Sequence, residues 1–517
     1  MLLKRDNIYK GILNITIMVR ELVRTREELE RLASLMADEI QGERENVVSR
    51  YIQTTSHTVQ FIGGKAREMM GTGSNLNKEK MMSGIFTSNN IDLATEQNFR
   101  EVAVARDLQP QRFRLALKGF SLPTQQEVFD SEIPTEFSMH DTEFKAFTQC
   151  HPNTRIRRDL AVDQRIVVNS KGGIMIQTVP FFNVSFSYGY APIPMGRDLS
   201  VVCRTNDDLK KLNSLTEFIA DPTPDKRVKR AGSLVEAFHR LYKIAGLKYG
   251  GLEKAGIPLS ELYDVVMLTG VPVHEIFGHH FEEPVRFLEF GESGTFKQGQ
   301  SIRNRDIVLE DNPHQKVAGF EVLGFTYFDA YGRLRRKVTH IKDGEIHGFL
   351  GSEYADDSEK LKQYMNSSQS SFGGNATQDA DGGFPQARMS CTVLDGKVCE
   401  QDLEGKIVMV SHEGHTMPAD KTYLAKSYEC YVVRDGEPRR VIPLQVTGGI
   451  NQALANIELL KDFSYQTGMC SKSDPLNSGE RVKVPVSQFT RSQIWRDQQV
   501  YPLPISDAHL RVLQGRD

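Results

Sequence analysis

The chain has no run approaching the roughly 20 apolar residues needed to cross a bilayer as a helix. The nearest, Ile12–Val19, is short, is interrupted by Asn14 and Thr16, and lacks the small-residue cleavage site of a leader. Cysteine is scarce: Cys150, Cys203, Cys391, Cys399, Cys430 and Cys470 are spread over 517 residues with no framework spacing. That pattern fits reduced thiols in a cytoplasm better than a disulfide scaffold. There is no excess of charge of one sign. Lys plus Arg number 64 against 67 for Asp plus Glu, so the formal net charge is −3. A protein that lives on phosphate contacts carries a basic surplus, and nucleic acid is therefore not expected as a partner. The basic run Lys226–Arg230 reads as a solvated linker. No internal repeat is found.

What is present is enough chain for two domains. Val19, Leu22, Val23, Leu29, Leu32 and Leu35 recur at helical spacing and predict a long polar-faced helix from about Ile17 to Val47. Ile166-Val167-Val168, the turn Ser170-Lys171-Gly172-Gly173, Ile174-Met175-Ile176 and the alternation at Val184, Phe186 and Tyr188 predict strands. Asp-Pro-Thr-Pro-Asp followed by the basic run marks a connection. Beyond residue 260 strands dominate, with hairpins at Asp343-Gly344 and Asp435-Gly436 and a long loop over Ser367–Gly383. The expected class is α+β. A mixed α/β N-terminal domain (1–244, with a linker near 220–244) precedes a β-rich C-terminal domain (245–517).

One segment carries chemistry. After the buried-strand candidate Tyr263–Thr269 and the breaker Gly270, a short helix is expected over Val271–Glu283, packed through Val273, Ile276, Phe277 and Phe281. It presents His274, Glu275 and His279. In a regular helix, positions five apart diverge by about 140°, so His274 and His279 would not face one ion, whereas Glu275 and His279 would. A π-type turn removes the conflict, and Gly278 makes a distortion easy to accommodate. A widened or broken turn is therefore predicted between Phe277 and His279. His280 falls on the apolar stripe and reads as a packed, hydrogen-bonded histidine rather than a ligand. His412 and His415, with Cys430 or Glu413, form a rival metal pattern.

The stretch Gly270–Glu283 resembles the His-Glu-x-x-x-His motif of the TldD/PmbA metallopeptidases, with His274, Glu275, Gly278, His279 and Glu282 at the matching positions. Asp343-Gly344-Glu-Ile-His-Gly348-Phe-Leu350, Pro385-Gln-Ala-Arg388-Met389 and Gly468-Met469-Cys470 are similar to further segments of that family, and so is Arg165–Tyr188. The resemblance covers about residues 165–500. It implies a Zn2+ site with His274, His279 and Cys470 as ligands and Glu275 as general base, acting on peptides or unfolded polypeptide segments. It also implies pairing as a homodimer or with a related family subunit; the alternative is a non-catalytic partner that shapes a cavity. Glu282 is either an orienting group behind a ligand or a helix-end carboxylate. Arg388 reads as a structural ion pair rather than a peptide contact.

Overall fold

The computed structural model describes residues 22–42, 46–82, 85–91, 122–135, 140–188, 195–222, 231–245, 261–282, 296–351, 374–378, 385–410, 413–417 and 421–504. Two large sheets organise them, and the α+β class holds.

The first sheet has seven strands, ordered Ile85–Ile91, Lys65–Met82, Asn46–Ile62, Thr154–Asn169, Ile174–Tyr188 and Gln126–Phe129, with Met195–Val202 also pairing on Ile174–Tyr188. The three short strands expected between residues 165 and 190 are parts of two long ones, which turn at Ser170–Gly172. The helix expected over Ile17–Val47 is shorter, Arg26–Ile40. Thr25 starts it with a capping box to Glu28, Gly42 at φ 84° turns the chain after it, and Val47 is already in a strand. Its apolar face, with Leu29, Leu32 and Met36, packs on Tyr51, Ile166, Val168 and Ile176. The stretch read as a linker near 220–244 contains a helix, Leu234–Ala245, whose Phe238 ring stacks on Phe186 at 4.6 Å. The basic run 226–230 and the Ile12–Val19 run lie outside the described residues.

The second sheet has thirteen strands. Its hub is the 22-residue strand Arg481–Pro502, which pairs with Ile457–Ser473, Cys391–Gly396, Leu262–Met267 and Leu444–Gly449. Trp495 lies at its centre, fully buried among Phe277 and Tyr423. The predicted Asp-Gly hairpins are present. Asp343 and Gly344, and Asp435 and Gly436, all take positive φ, the conformation a two-residue primed turn demands. Most of the Ser367–Gly383 loop is outside the described residues, but Ala376–Thr377 pairs with Gln386–Ala387. The sheets meet through a shared core that joins Leu199, Val201 and Cys203 to Val322, Val393 and Tyr465. A fully buried two-pronged ion pair, Arg197 to Glu429, ties them further. Among the described residues, no helix is long and apolar enough to cross a membrane.

Candidate metal centre

The site is assembled at one end of the hub strand. Leu262–Met267 pairs with it through Met267 opposite Gln493, then leads into Gly270. Gly270 sits so close to Gln488 and Thr490 that a Cβ would fall 2.6 Å from the Gln488 Cβ. This close approach fixes where the following helix starts. That helix has two parts. Val273–Phe277 is a π-turn, in which the Gly278 amide donates to the carbonyl of Val273 five residues back; Gly278–Phe281 then tightens to 3-10 geometry. A widened turn is therefore present, but over Val273–Phe277 rather than between Phe277 and His279, where the helix tightens; it brings the rings of His274 and His279 edge to face with centroids 5.0 Å apart.

Cys470 arrives from the strand Ile457–Ser473, placed by its pairing opposite Val484 of the hub strand. Its Sγ lies 3.4 Å from His279 Nε2. Ligand-type atoms of His274, Glu275, His279 and Cys470 all lie within 4.8 Å of one another, and this is the group of metal-ligating type found among the described residues.

Each imidazole is held from behind. The Thr392 hydroxyl donates to Met389 Sδ at 3.3 Å, so its oxygen accepts the His274 Nδ1 proton at 2.8 Å. His279 Nδ1 donates to Glu282 Oε2 at 2.8 Å. Both rings thus turn Nε2 to the centre, and His274 Nε2 is buried with no geometric hydrogen-bond partner among the described residues. Glu275 Oε2 stands 3.1 Å from His279 Nε2. A buried nitrogen lone pair facing a second imidazole and a thiol is costly unless something occupies the centre. The donor set suits a divalent ion of intermediate softness.

Electrostatics fit the same arrangement. Burial pushes the Cys470 thiol up, but the charge of His279 and the ring of His274 more than reverse this and bring it down to about 6. Burial disfavours the His279 imidazolium, yet Cys470 and Glu282 raise its pKa well above the ordinary 6.5. Burial also raises Glu275, and its hydrogen bond and charge interaction with His279 lower it to about 2. Without metal, these shifts favour a thiolate beside an imidazolium and a carboxylate near neutral pH.

Glu282 is fully buried, which removes the surface-carboxylate reading and leaves it as the group that orients His279. Its other oxygen accepts from the Met389 amide at 2.9 Å and from Arg388 Nε at 3.2 Å. Arg388 makes the ion pair expected of it, but inside the site rather than away from it. His280 is buried against Phe296, outside the cluster. Of the rival pattern, His415 is exposed and near Glu413 at 3.7 Å, Cys430 is buried and donates to the Ser427 carbonyl, and His412 lies outside the described residues. Thr392 and Gly414 had no local signal in the sequence. A Cβ on Gly414 would lie 2.7 Å from the Glu275 Cβ, so the strand Glu413–Met417 passes directly over that carboxylate.

The two-sheet α+β fold carries a candidate metal site in its long-stranded second sheet. Residues 263–480 match the model of the PmbA/TldA metallopeptidase C-terminal domain, which contains all four clustered residues. The likeness to the PmbA/TldD family is thus carried by residues 263–480. It is similar in fold to TldE from Thermococcus kodakarensis, with a TM-score of 0.58, 13% identity, and coverage of 91% of this chain and 99% of that one. A proposed modulator of DNA gyrase from Thermotoga maritima gives 0.58 at 14% identity, covering 92% and 100%. A counterpart from Bacteroides thetaiotaomicron gives 0.56 at 14%, covering 93% and 100%. No curated protein matches the chain.

Proposed function

We propose that this protein is a zinc-dependent peptidase that hydrolyses peptides or unfolded polypeptide segments in the cytoplasm. One observation carries the reading: two Nε2 atoms, each oriented by its own acceptor, and one thiol sulfur converge beside a carboxylate that neither orienting contact uses. Three protein ligands with a fourth position for water are the pattern of a catalytic rather than a structural zinc. His274, His279 and Cys470 would hold the ion. Zinc bound there supplies a Lewis acid for the scissile carbonyl and lowers the pKa of water towards neutrality. Glu275, ionised at any working pH, takes the water proton and returns it to the leaving amine. The strand Glu413–Met417 pairs on one side with Thr422–Ser427, and among the described residues no strand pairs on its other side. That edge suits an extended peptide added as a further strand. Pairing with a second copy or a related subunit belongs to the same proposal, and a solution mass of a single chain would count against it.

Purified protein is expected to carry one zinc per chain, to cleave an unstructured peptide, to lose that activity on chelation and to regain it with added zinc. A protein that holds zinc at these residues yet cleaves no peptide, alone or with a related subunit, would instead be the non-catalytic partner. Gly414→Ala should push Glu275 out of line through the 2.7 Å approach of its new methyl group. Hydrolysis is expected to fall by about tenfold to a hundredfold with zinc content unchanged, since a misplacement of about 1 Å can cost that much. Turnover equal to wild type would show that the strand does not fix the carboxylate.

A further inference from the structure

We propose that Arg388 is a positioning residue that locks the Cys470 sulfur and the His279 ring into one rigid ligand frame. The inference rests on the zinc reading above. Arg388 is fully buried, and its guanidinium forks. Nη2 donates to Cys470 Sγ at 2.8 Å, while Nε donates to Glu282 Oε1 at 3.2 Å. The other Glu282 oxygen accepts from His279 Nδ1. An unbroken path of contacts therefore runs from the ligand on the strand Ile457–Ser473, through one guanidinium and one carboxylate, to the ligand on the 3-10 turn.

The frame is anchored from below. Glu282 is bridged to Leu350, and the Leu350 amide donates to the Phe281 carbonyl at 2.7 Å. Arg388 stands three residues before Cys391, which pairs opposite Ser487 of the hub strand, while Cys470 pairs opposite Val484 of the same strand. Arg388 and Cys470 therefore sit on neighbours of one short stretch of backbone. Arginine suits the task because its planar fork presents two donors in fixed directions, and it remains charged when buried. A lysine ammonium is a single point charge that cannot span both acceptors in this geometry.

The test uses full-length protein stripped of metal and reloaded with Zn2+ or with Co2+, which reports thiolate ligation through its sulfur-to-cobalt absorption band. Arg388→Lys keeps a cation beside Glu282. It is expected to weaken zinc binding, measured by chelator competition, by about tenfold to a hundredfold, the usual cost of losing a group that orients a ligand. The cobalt–thiolate band should shift or weaken with it. In a Cys470→Ser background, Arg388→Lys should cost little more, because its effect passes through that sulfur. If Arg388→Lys fails to fold, the double variant Glu282→Gln with Arg388→Met removes the buried charges together, and the same loss of the cobalt band is expected. Wild-type affinity and an unaltered band in the variant that folds would overturn the proposal. So would an equal cost of Arg388→Lys with and without Cys470. If the unmodified protein takes up neither Zn2+ nor Co2+, it is the zinc reading itself that fails.

Discussion

Glu275→Gln is expected to lower peptide hydrolysis by about 10²–10⁴-fold, the usual contribution of a positioned general base, while zinc content stays at the wild-type level. Both halves follow from geometry. Glu275 reaches the cluster from the residue next to His274, yet its oxygen contacts His279 Nε2, and neither Nδ1 contact depends on it. Glutamine keeps the shape and removes the basic oxygen, so folding and the three proposed ligands should survive. Its low pKa, about 2, means that Glu275 remains ionised through the working range. An acid limb in the pH–rate profile should therefore report the ligands rather than the base. Metal analysis alongside initial rates decides the matter. Zinc lost together with activity would make Glu275 a ligand, and a variant as active as wild type would end its assignment as base.

Zinc affinity is expected to fall about 10³-fold between pH 7 and pH 5. Near pH 7 the metal-free centre holds Cys470 as thiolate, with its pKa at about 6, and His279 as imidazolium, raised well above 6.5. Zinc uptake must then displace one proton, from His279, so affinity changes about tenfold per pH unit. Below about pH 6 Cys470 is protonated as well, two protons must leave, and the slope steepens to about a hundredfold per unit. Calorimetry in two buffers of different ionisation enthalpy counts the protons directly, and affinity that stays constant over this range would refute the thiolate–imidazolium assignment. The metal-free fold should behave differently. Cys470, depressed from 9.0, adds stability that is complete above 9.0 and lost as pH falls through about 6. His279, raised from 6.5, adds stability that is present below 6.5 and lost as pH rises through its folded value. Where the two windows overlap, the slopes oppose, and unfolding of the metal-free protein should depend little on this pair. For this pair, metal affinity rather than folding is thus the pH-sensitive quantity.

The sequence by itself determined what lies within one or two turns of the chain. The five-residue spacing of His274 and His279, beside Gly278, demanded a widened turn if one ion was to see both, and Val273–Phe277 is a π-turn. Asp343-Gly344 and Asp435-Gly436 dictated their hairpins, because few other residue pairs accept positive φ at both positions. Local pattern overran at the first helix, where apolar spacing continued past Gly42 into a strand whose Val47 also needs burial. Only the tertiary structure decided the rest of the centre. Cys470, Thr392 and Gly414 come from separate strands and Arg388 from just before the strand that carries Thr392, and no periodicity links them to His274. They converge because the strand Arg481–Pro502 pairs with the strands that carry or closely follow Cys470, Arg388 and Thr392, and because Gly270 lets the helix start against that same strand. Hydrogen-bond register between strands far apart in sequence is set by the burial of whole faces around Trp495, a property of the folded sheet that no short window of residues contains.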